Sequence, residues 1–156
     1  MSESIERKIR AEIERRILEL YPEYATRGGR GVRGRNFLVV IAERRVNLNY
    51  MPEPSLDDSA ALVSAAVDAT VGVIFYAAED EALDVEPFMR SLLLYPRIED
   101  EAGAEIALVR LPITTAILEG STMDREYVQI PIRYRYAGDF APAELVLLER
   151  MKEEER

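Results

Sequence analysis

The stretch from Val63 to Phe75 alternates between apolar residues and residues that are mostly polar or small. Every odd-numbered position is apolar, and the even positions are Ser64, Ala66, Asp68, Thr70, Gly72 and Ile74. Consecutive strand side chains point to opposite faces of a sheet, so this period of two predicts one strand with one buried face. Since strands usually have about five or six residues, a strand of this length constrains the whole domain built around it.

The amino-acid composition removes most catalytic chemistry. The 156 residues include no Cys, His or Trp, which excludes disulfides, zinc–thiolate sites, cysteine nucleophiles and histidine-dependent triads. The remaining groups suffice for an oxygen-ligand metal site or a carboxylate-pair hydrolase. The length suits one domain with a substantial core. We therefore expect a structural protein without catalytic residues, metal or cofactor.

The charge balance is acidic, with a net charge of −9, which argues against broad binding to nucleic acids or anionic membranes. Residues 1–20 carry charges throughout, unlike a signal peptide, and no apolar run approaches the roughly 18 residues of a membrane span. We expect assembly in the cytoplasm without membrane association. The 18 Arg against two Lys, with few Asn and Gln, are typical of thermophilic proteins and equally of GC-rich genomes.

The rest of the chain predicts a single α/β domain of the α+β type, with a mixed or antiparallel sheet flanked by helices. Four Ile residues from Ile5 to Ile17 recur every four positions, which predicts a helix over 3–20 with Ser2 or Ser4 as its cap. The predicted parts are an N-terminal helix within 1–25, an Arg/Gly loop over 26–35, a sheet with one helix over 36–136, and an added C-terminal helix over 137–156.

Three local patterns carry further expectations. Residues 43–45 form either a turn or a polar stretch within one strand, and residues 113–118 either continue a strand past Pro112 or form a short helix. Pro131 lacks a backbone N–H, so we expect its strand at a sheet edge or with a bulge.

Two more helices follow from their apolar stripes. Asp84 is expected to cap a helix that ends near Tyr95 and buries Leu93. The C-terminal helix is expected to bury Met151.

The Arg/Gly loop is the strongest local anomaly. Its four Gly exclude regular structure, and its four Arg concentrate positive charge in an acidic chain. Guanidinium groups bind phosphates and carboxylates well, although no Gly-Lys-Ser/Thr of a phosphate-binding loop follows. We expect either a partner-binding loop or a solvated one. The candidate residues are Arg27, Arg30, Arg33 and Arg35.

Two further groups are candidate partner contacts. Tyr127, Arg133 and Arg135 lie on one face of the presumed edge strand, and Tyr and Arg are enriched at protein interfaces. Val146 and Leu147 lie beside the core stripe of the C-terminal helix, so they add surplus apolar surface. The alternative for each group is an ordinary exposed face.

Two acidic clusters are weaker candidates for a metal site. Neither has the spacing of a calcium-binding EF-hand loop, and runs of charge are usually solvated. The clusters consist of Glu79, Asp80, Glu81 and Asp84, and of Glu99, Asp100 and Glu101.

Two segments resemble the tail terminator proteins of long-tailed bacteriophages, the lambda-type minor tail protein family. The stretch Ala82-Leu-Asp-Val-Glu-Pro-Phe-Met-Arg-Ser-Leu-Leu-Leu-Tyr-Pro96 is similar to the family's acidic helix that ends in Tyr-Pro, and the strand from Tyr127 to Tyr136 resembles its last strand. The order of elements over residues 3–136 is similar as well. The Arg/Gly loop and the helix beyond Asp139 do not match any part of the family's pattern.

The resemblance implies a structural virion protein of the tail and neck. Such proteins form a hexameric ring on the tail tube, end tube polymerisation and provide the surface for head joining, and DNA passes through the bore. The implied partners are further copies of the chain, the tail tube protein and neck or head-completion proteins. The alternatives are another neck or tube ring of the same particle, a nucleic-acid-binding module that uses the Arg/Gly loop, and a metal-dependent hydrolase built on carboxylates.

Overall fold

The computed structural model describes residues 4–26, 35–47, 53–54, 61–76, 83–118, 125–140 and 142–154. They form a single α+β domain with a mixed sheet, as predicted. The helices are α1 (Ile5–Leu20), α2 (Glu86–Leu94) and α3 (Pro142–Glu154). The strands are β1 (Ala25–Thr26), β2 (Asn36–Asn47), β3 (Glu53–Pro54), β4 (Ala61–Tyr76), β5 (Arg97–Glu99), β6 (Glu105–Val109), β7 (Thr114–Leu118) and β8 (Arg125–Phe140).

The long strand predicted from the alternating run is β4, and it extends over 16 residues. It pairs antiparallel with β8 in one continuous register, from Ala61 opposite Phe140 to Tyr76 opposite Arg125. The strand order is β1-β2-β4-β8-β6-β5, while β3 also pairs with β4 and β7 with β8. Among the strands of the described residues, only β1 and β2 pair in parallel. The β4–β8 ladder is therefore the centre of the sheet.

The core lies on one face of this sheet, which we call the core face. The odd positions of β4 from Ala65 to Phe75 and the even positions of β8 from Val128 to Tyr134 are buried there, together with the Ile stripe of α1. Four aromatic rings surround Phe75 with centroids 5.8–6.1 Å away, which brings the end of α1, β2 and α2 together. These rings belong to Tyr21, Tyr24, Phe37 and Phe88.

Helix α1 begins where the sequence predicts. The Ser4 hydroxyl accepts a hydrogen bond from the Arg7 N–H at 3.2 Å, which satisfies one donor of the first turn. Ile9, Ile13 and Ile17 are fully buried. The repeat of four residues therefore marks the side of α1 that covers the sheet.

Residues 43–45 form a polar stretch within one strand, so the turn alternative is wrong. Strand β2 gains one extra residue against β4 between Ala42 and Arg45, and Glu43 has a φ of 55° there. This is a β-bulge, which locally increases strand twist. The bulge brings Arg44 to the helix side of β2, where it meets Glu6 of α1.

The expected edge position of β8 is wrong, because β4 pairs along one side and β6 and β7 pair along the other. Strands β6 and β7 follow each other along β8, which confirms continuation past Pro112 over the helix alternative. The Pro131 carbonyl accepts from the Arg110 N–H at 2.7 Å. A strand residue directs its N–H and C=O to the same neighbour. The missing donor of Pro131 therefore faces the break between β6 and β7, where no ladder bond is needed.

Helix α2 is held at its C-terminal end by Arg16 of α1. The Arg16 guanidinium is nearly buried and donates 2.8 Å hydrogen bonds to the carbonyls of Tyr95 and Arg97. Helix C-termini leave carbonyls without partners, and a cation is favourable there. At the other end, Asp84 accepts from the Glu86 N–H at 3.0 Å. The N-cap position itself is occupied by Val85, which makes no side-chain capping bond. The prediction of Asp84 as the N-cap is therefore wrong, and its carboxylate supports the first turn from one residue earlier.

Two burial expectations are wrong. Leu93 of α2 and Met151 of α3 are both more than half exposed. Within α2, Phe88 and Leu92 supply the buried side chains. Leu93 and Leu94 therefore face outward.

Replacing Arg16 with Ala tests how α2 is held. We expect Arg16→Ala to lower the free energy of unfolding by about 2–3 kcal/mol, because two carbonyls lose charge-assisted hydrogen bonds. The matched control is Arg15→Ala, since Arg15 forms exposed ion pairs with Glu12 and Glu19 that contribute about 0.5 kcal/mol or less. Urea denaturation followed by circular dichroism measures both, and equal losses would contradict the role of Arg16.

A polar cluster joins α1, β2 and β8. The Glu6 carboxylate accepts three hydrogen bonds from Arg44 at 2.5–2.9 Å and one from the Tyr134 hydroxyl at 2.6 Å. The Arg44 hydrogen bonds hold the pKa of Glu6 below its usual range. Burial, together with the Glu6 carboxylate, raises the pKa of Tyr134 to about 12.

This pKa predicts a loss of stability at high pH. The folded-state pKa of Tyr134 lies above the ordinary value of about 10, so its contribution is complete below pH 10 and is lost as the pH rises towards 12. We expect Tyr134→Phe to lose less stability over this interval than the unmodified chain does. Denaturant midpoints at pH 8, 10 and 11.5 measure this difference, and parallel declines in the two proteins would contradict it.

Candidate interaction surfaces

The face of the sheet opposite the core, which we call the open face, is not covered by α1 or α2. Directly opposite residues share a face, so the strand registers define its members. The Val40 side chain is 41% exposed, and Leu38, Ile74 and Tyr127 are half-buried. The members include Leu38, Val40, Ala42, Arg45, Asp68, Thr70, Gly72, Ile74, Tyr127, Gln129, Pro131, Arg133 and Arg135, and the Glu43 side chain borders this face at Thr70.

Tyr127 lies across Gly72 on the open face. A Cβ atom at position 72 would lie 2.9 Å from the Tyr127 hydroxyl and 3.0 Å from its ring. The Gln129 amide donates to the Tyr127 hydroxyl at 3.1 Å, and the Thr114 hydroxyl donates to Gln129 Oε1 at 3.2 Å. The glycine in the long strand is therefore explained by the ring that covers it, and Tyr127 forms part of a fixed surface.

Arg133 is engaged by its own sheet. It lies opposite Asp68 in the ladder and donates hydrogen bonds to both carboxylate oxygens, at 2.8 and 3.2 Å. Asn47 donates to the same carboxylate at 2.9 Å. These donors, Arg133 foremost, lower the pKa of Asp68. Arg133, which the sequence predicts as a partner contact, thus forms an ion pair with Asp68 on the adjacent strand. Its guanidinium group is still exposed at the surface.

Further cations lie close to this pair. A shallow depression of about 480 Å³ is lined by Glu43, Arg45, Asp68, Arg110 and Arg133, among others. Arg135 is exposed on the same face of β8, two residues beyond Arg133. Arginine therefore predominates on this part of the open face.

The Arg/Gly loop is described only at its end. Arg35 is half-buried and forms an ion pair with Glu23, and its carbonyl accepts from the Ala25 N–H at 3.1 Å. Arg35 therefore has partners within its own domain, and its role as a partner contact stays a prediction. The other three candidates, Arg27, Arg30 and Arg33, lie outside the described residues.

Helix α3 presents apolar side chains to solvent. Val146, Leu147 and Met151 are 52%, 59% and 55% exposed. The predicted surplus apolar surface at Val146 and Leu147 is therefore present, and Met151 adds to it. No described side chain of α3 belongs to the core.

Sequence reasoning missed a third exposed apolar surface, at the C-terminal end of α2. Leu94 and Tyr95 line an open groove of about 850 Å³ between α1 and α2, with Leu20 and Pro87. A signal was present, because four consecutive apolar residues from Leu92 to Tyr95 cannot all face one side of a helix.

The two acidic clusters do not meet in the described part of the chain. Residues 79–81 lie outside it, and no group of three or more carboxylates is placed for metal binding among the described residues. Asp100 instead accepts hydrogen bonds from the Ala102 and Ala104 N–H groups within its turn. None of the described helices is long and apolar enough to cross a membrane.

No model of a protein family matches the chain, and no curated protein is significantly similar to it.

The contact between Gly72 and Tyr127 is testable by a double-mutant cycle. We expect Gly72→Ala alone to lower the free energy of unfolding by about 1 kcal/mol, because the new methyl group displaces the Tyr127 ring. In a Tyr127→Ala background the same substitution is expected to be neutral or to stabilise by up to about 1 kcal/mol, since Gly weakens a strand. Denaturant unfolding measures the cycle, and an equal effect in both backgrounds would contradict the contact.

Proposed function

We propose that the chain is a structural virion protein that forms a ring on the phage tail tube, ends tube polymerisation and provides the head-joining surface. The observation that carries the proposal is the outer surface of α3, where three apolar side chains are more than half exposed. Apolar residues grouped in this way are typical of surfaces that another protein covers. The similarity of residues 82–96 and 127–136 to tail terminators supports this particular assembly.

The arrangement of the exposed surfaces suits a ring. Helix α3, the end of α2 and the open face are three different apolar areas on one small domain. A ring joins different patches of neighbouring copies, because its contacts are heterologous and close by rotation. A chain with several dissimilar patches meets this requirement.

The charge suits passage of DNA through the bore. With a net charge of −9 per chain, a ring repels the phosphate backbone over most of its surface, so DNA is not held. The arginines of the open face then serve protein contacts. The tail tube protein and neck or head-completion proteins are the proposed further partners, and another neck or tube ring is the alternative within this class.

Native mass spectrometry of the purified chain tests the proposal. We expect a hexamer, six copies of the 17.7 kDa chain, that dissociates when Val146 and Leu147 are both replaced by Glu. The matched control is Leu111→Glu, because Leu111 is an exposed apolar residue outside the three surfaces and its replacement should leave the hexamer intact.

The complementary measurement is the length of tail tubes polymerised with and without the chain. Shortened, capped tubes are expected. A chain that stays monomeric and leaves tube length unchanged would contradict the proposal.

A further inference from the structure

We infer that α3 of one copy docks on the open face of the next copy. The inference rests on the proposed ring, and it names the two surfaces that would join neighbouring subunits. One is the apolar side of α3, formed by Val146, Leu147 and Met151. The other is the apolar part of the open face around Val40.

The connection of α3 to the sheet places the helix away from the body of the domain. Strand β2 pairs with β4 only as far as Ala66, and β6 pairs with β8 only as far as Tyr134. Beyond these points β4 and β8 continue as a ribbon to Phe140, and the two-residue strand β3 pairs with Ala61 and Leu62 of β4. Six strand residues extend about 20 Å, and α3 begins at Pro142, at the end of this ribbon. The helix is thus attached where it can reach a neighbouring molecule.

The two surfaces match in polarity. Val40 on the open face is 41% exposed, beside half-buried Leu38 and Ile74. The apolar residues of α3 are exposed to a similar or greater degree. A helix that packs its apolar stripe on a sheet is a basic two-layer arrangement. Docking would cover both areas at once.

The two surfaces are also opposite in charge. Between Pro142 and Glu154 the chain has four Glu against one Arg and one Lys. The open face has more Arg than acidic residues, with Arg45, Arg133 and Arg135 against Asp68 and Glu43. The match in sign favours this pairing over α3 packing on the acidic remainder of the chain.

The occupant is a second copy because one chain carries both surfaces and leaves both exposed. Val146, Leu147 and Met151 of α3 are more than half exposed in the single chain. The open face of the same chain therefore does not bury them. A contact between helix and sheet joins unlike patches, and repetition of that contact around an axis closes a ring.

Cysteine cross-linking between separate chains tests this docking, because the chain has no Cys of its own. One chain carries Val146→Cys, and a second chain with a tag of different mass carries Val40→Cys. The control pair combines Val146→Cys with Glu19→Cys, since Glu19 is exposed on α1, on the opposite side of the sheet. Circular dichroism checks that each variant folds.

Mild oxidation of the mixed chains is expected to give at least tenfold more mixed dimer with Val40→Cys than with Glu19→Cys. Equal yields from the two pairs would overturn the docking. A disulfide that forms only within a single chain carrying both Val40→Cys and Val146→Cys would also overturn it, since α3 would then cover its own sheet.

A second variant keeps the two proposals separable. Arg133→Glu together with Arg135→Glu reverses the charge of the open face, and it is expected to reduce the mixed dimer at least fivefold without loss of folding. A ring that persists in native mass spectra while no mixed dimer forms would overturn the docking and leave the ring standing. A monomeric unmodified chain would overturn both.

Discussion

The continuous ladder between β4 and β8 is the interaction on which the rest of the structure depends. All 16 residues of each strand are paired in one register, and a slip of one residue would move every buried side chain of a strand to the opposite face. The apolar odd positions of β4 prevent such a slip. The register therefore fixes the core face for α1 and α2, and it also fixes which residues form the open face.

The same register determines which partners the polar and charged side chains of β8 contact. Arg133 lies opposite Asp68, and Tyr134 lies one residue further along on the other face, where it meets Glu6. Polar side chains are thus satisfied by cross-strand or helix–sheet partners wherever the domain supplies them. The surfaces without such cover within the single chain are apolar, on α3, at the end of α2 and on the open face. An assembly that covers them is the simplest physical explanation for their presence.

Much of the fold can be predicted from the sequence, because its main elements have strong periodic patterns. Helix α1, the long strand β4 and the buried face of β8 follow from repeats of four and two residues. The position of β8 in the sheet does not, since the sequence pattern does not show which strands pair along its two sides, and the break that accommodates Pro131 arises only from the pairing of β6 and β7. For residues 43–45 the sequence leaves a turn and a polar stretch within one strand open, and it does not indicate the bulge at Glu43.

Only part of the candidate partner surfaces could be predicted from the sequence. Surplus apolar residues on α3 are visible in the sequence, whereas the exposure of Met151 depends on which side of the helix faces the domain, and the apolar pattern of the helix does not determine that side. Arg133 and Arg35 were identified as partner contacts because their type suits interfaces. Their intramolecular partners, Asp68 and Glu23, depend on strand register and chain path, which composition does not encode.

Electron microscopy of the purified chain tests the central claim, that unlike surfaces of one domain join copies into a closed assembly. The account predicts class averages of a ring with a central bore and repeated identical subunits. Open filaments would contradict closure, and monomeric particles at concentrations up to about 100 µM, where contacts of about 5–6 kcal/mol or stronger would already form, would contradict the assembly itself.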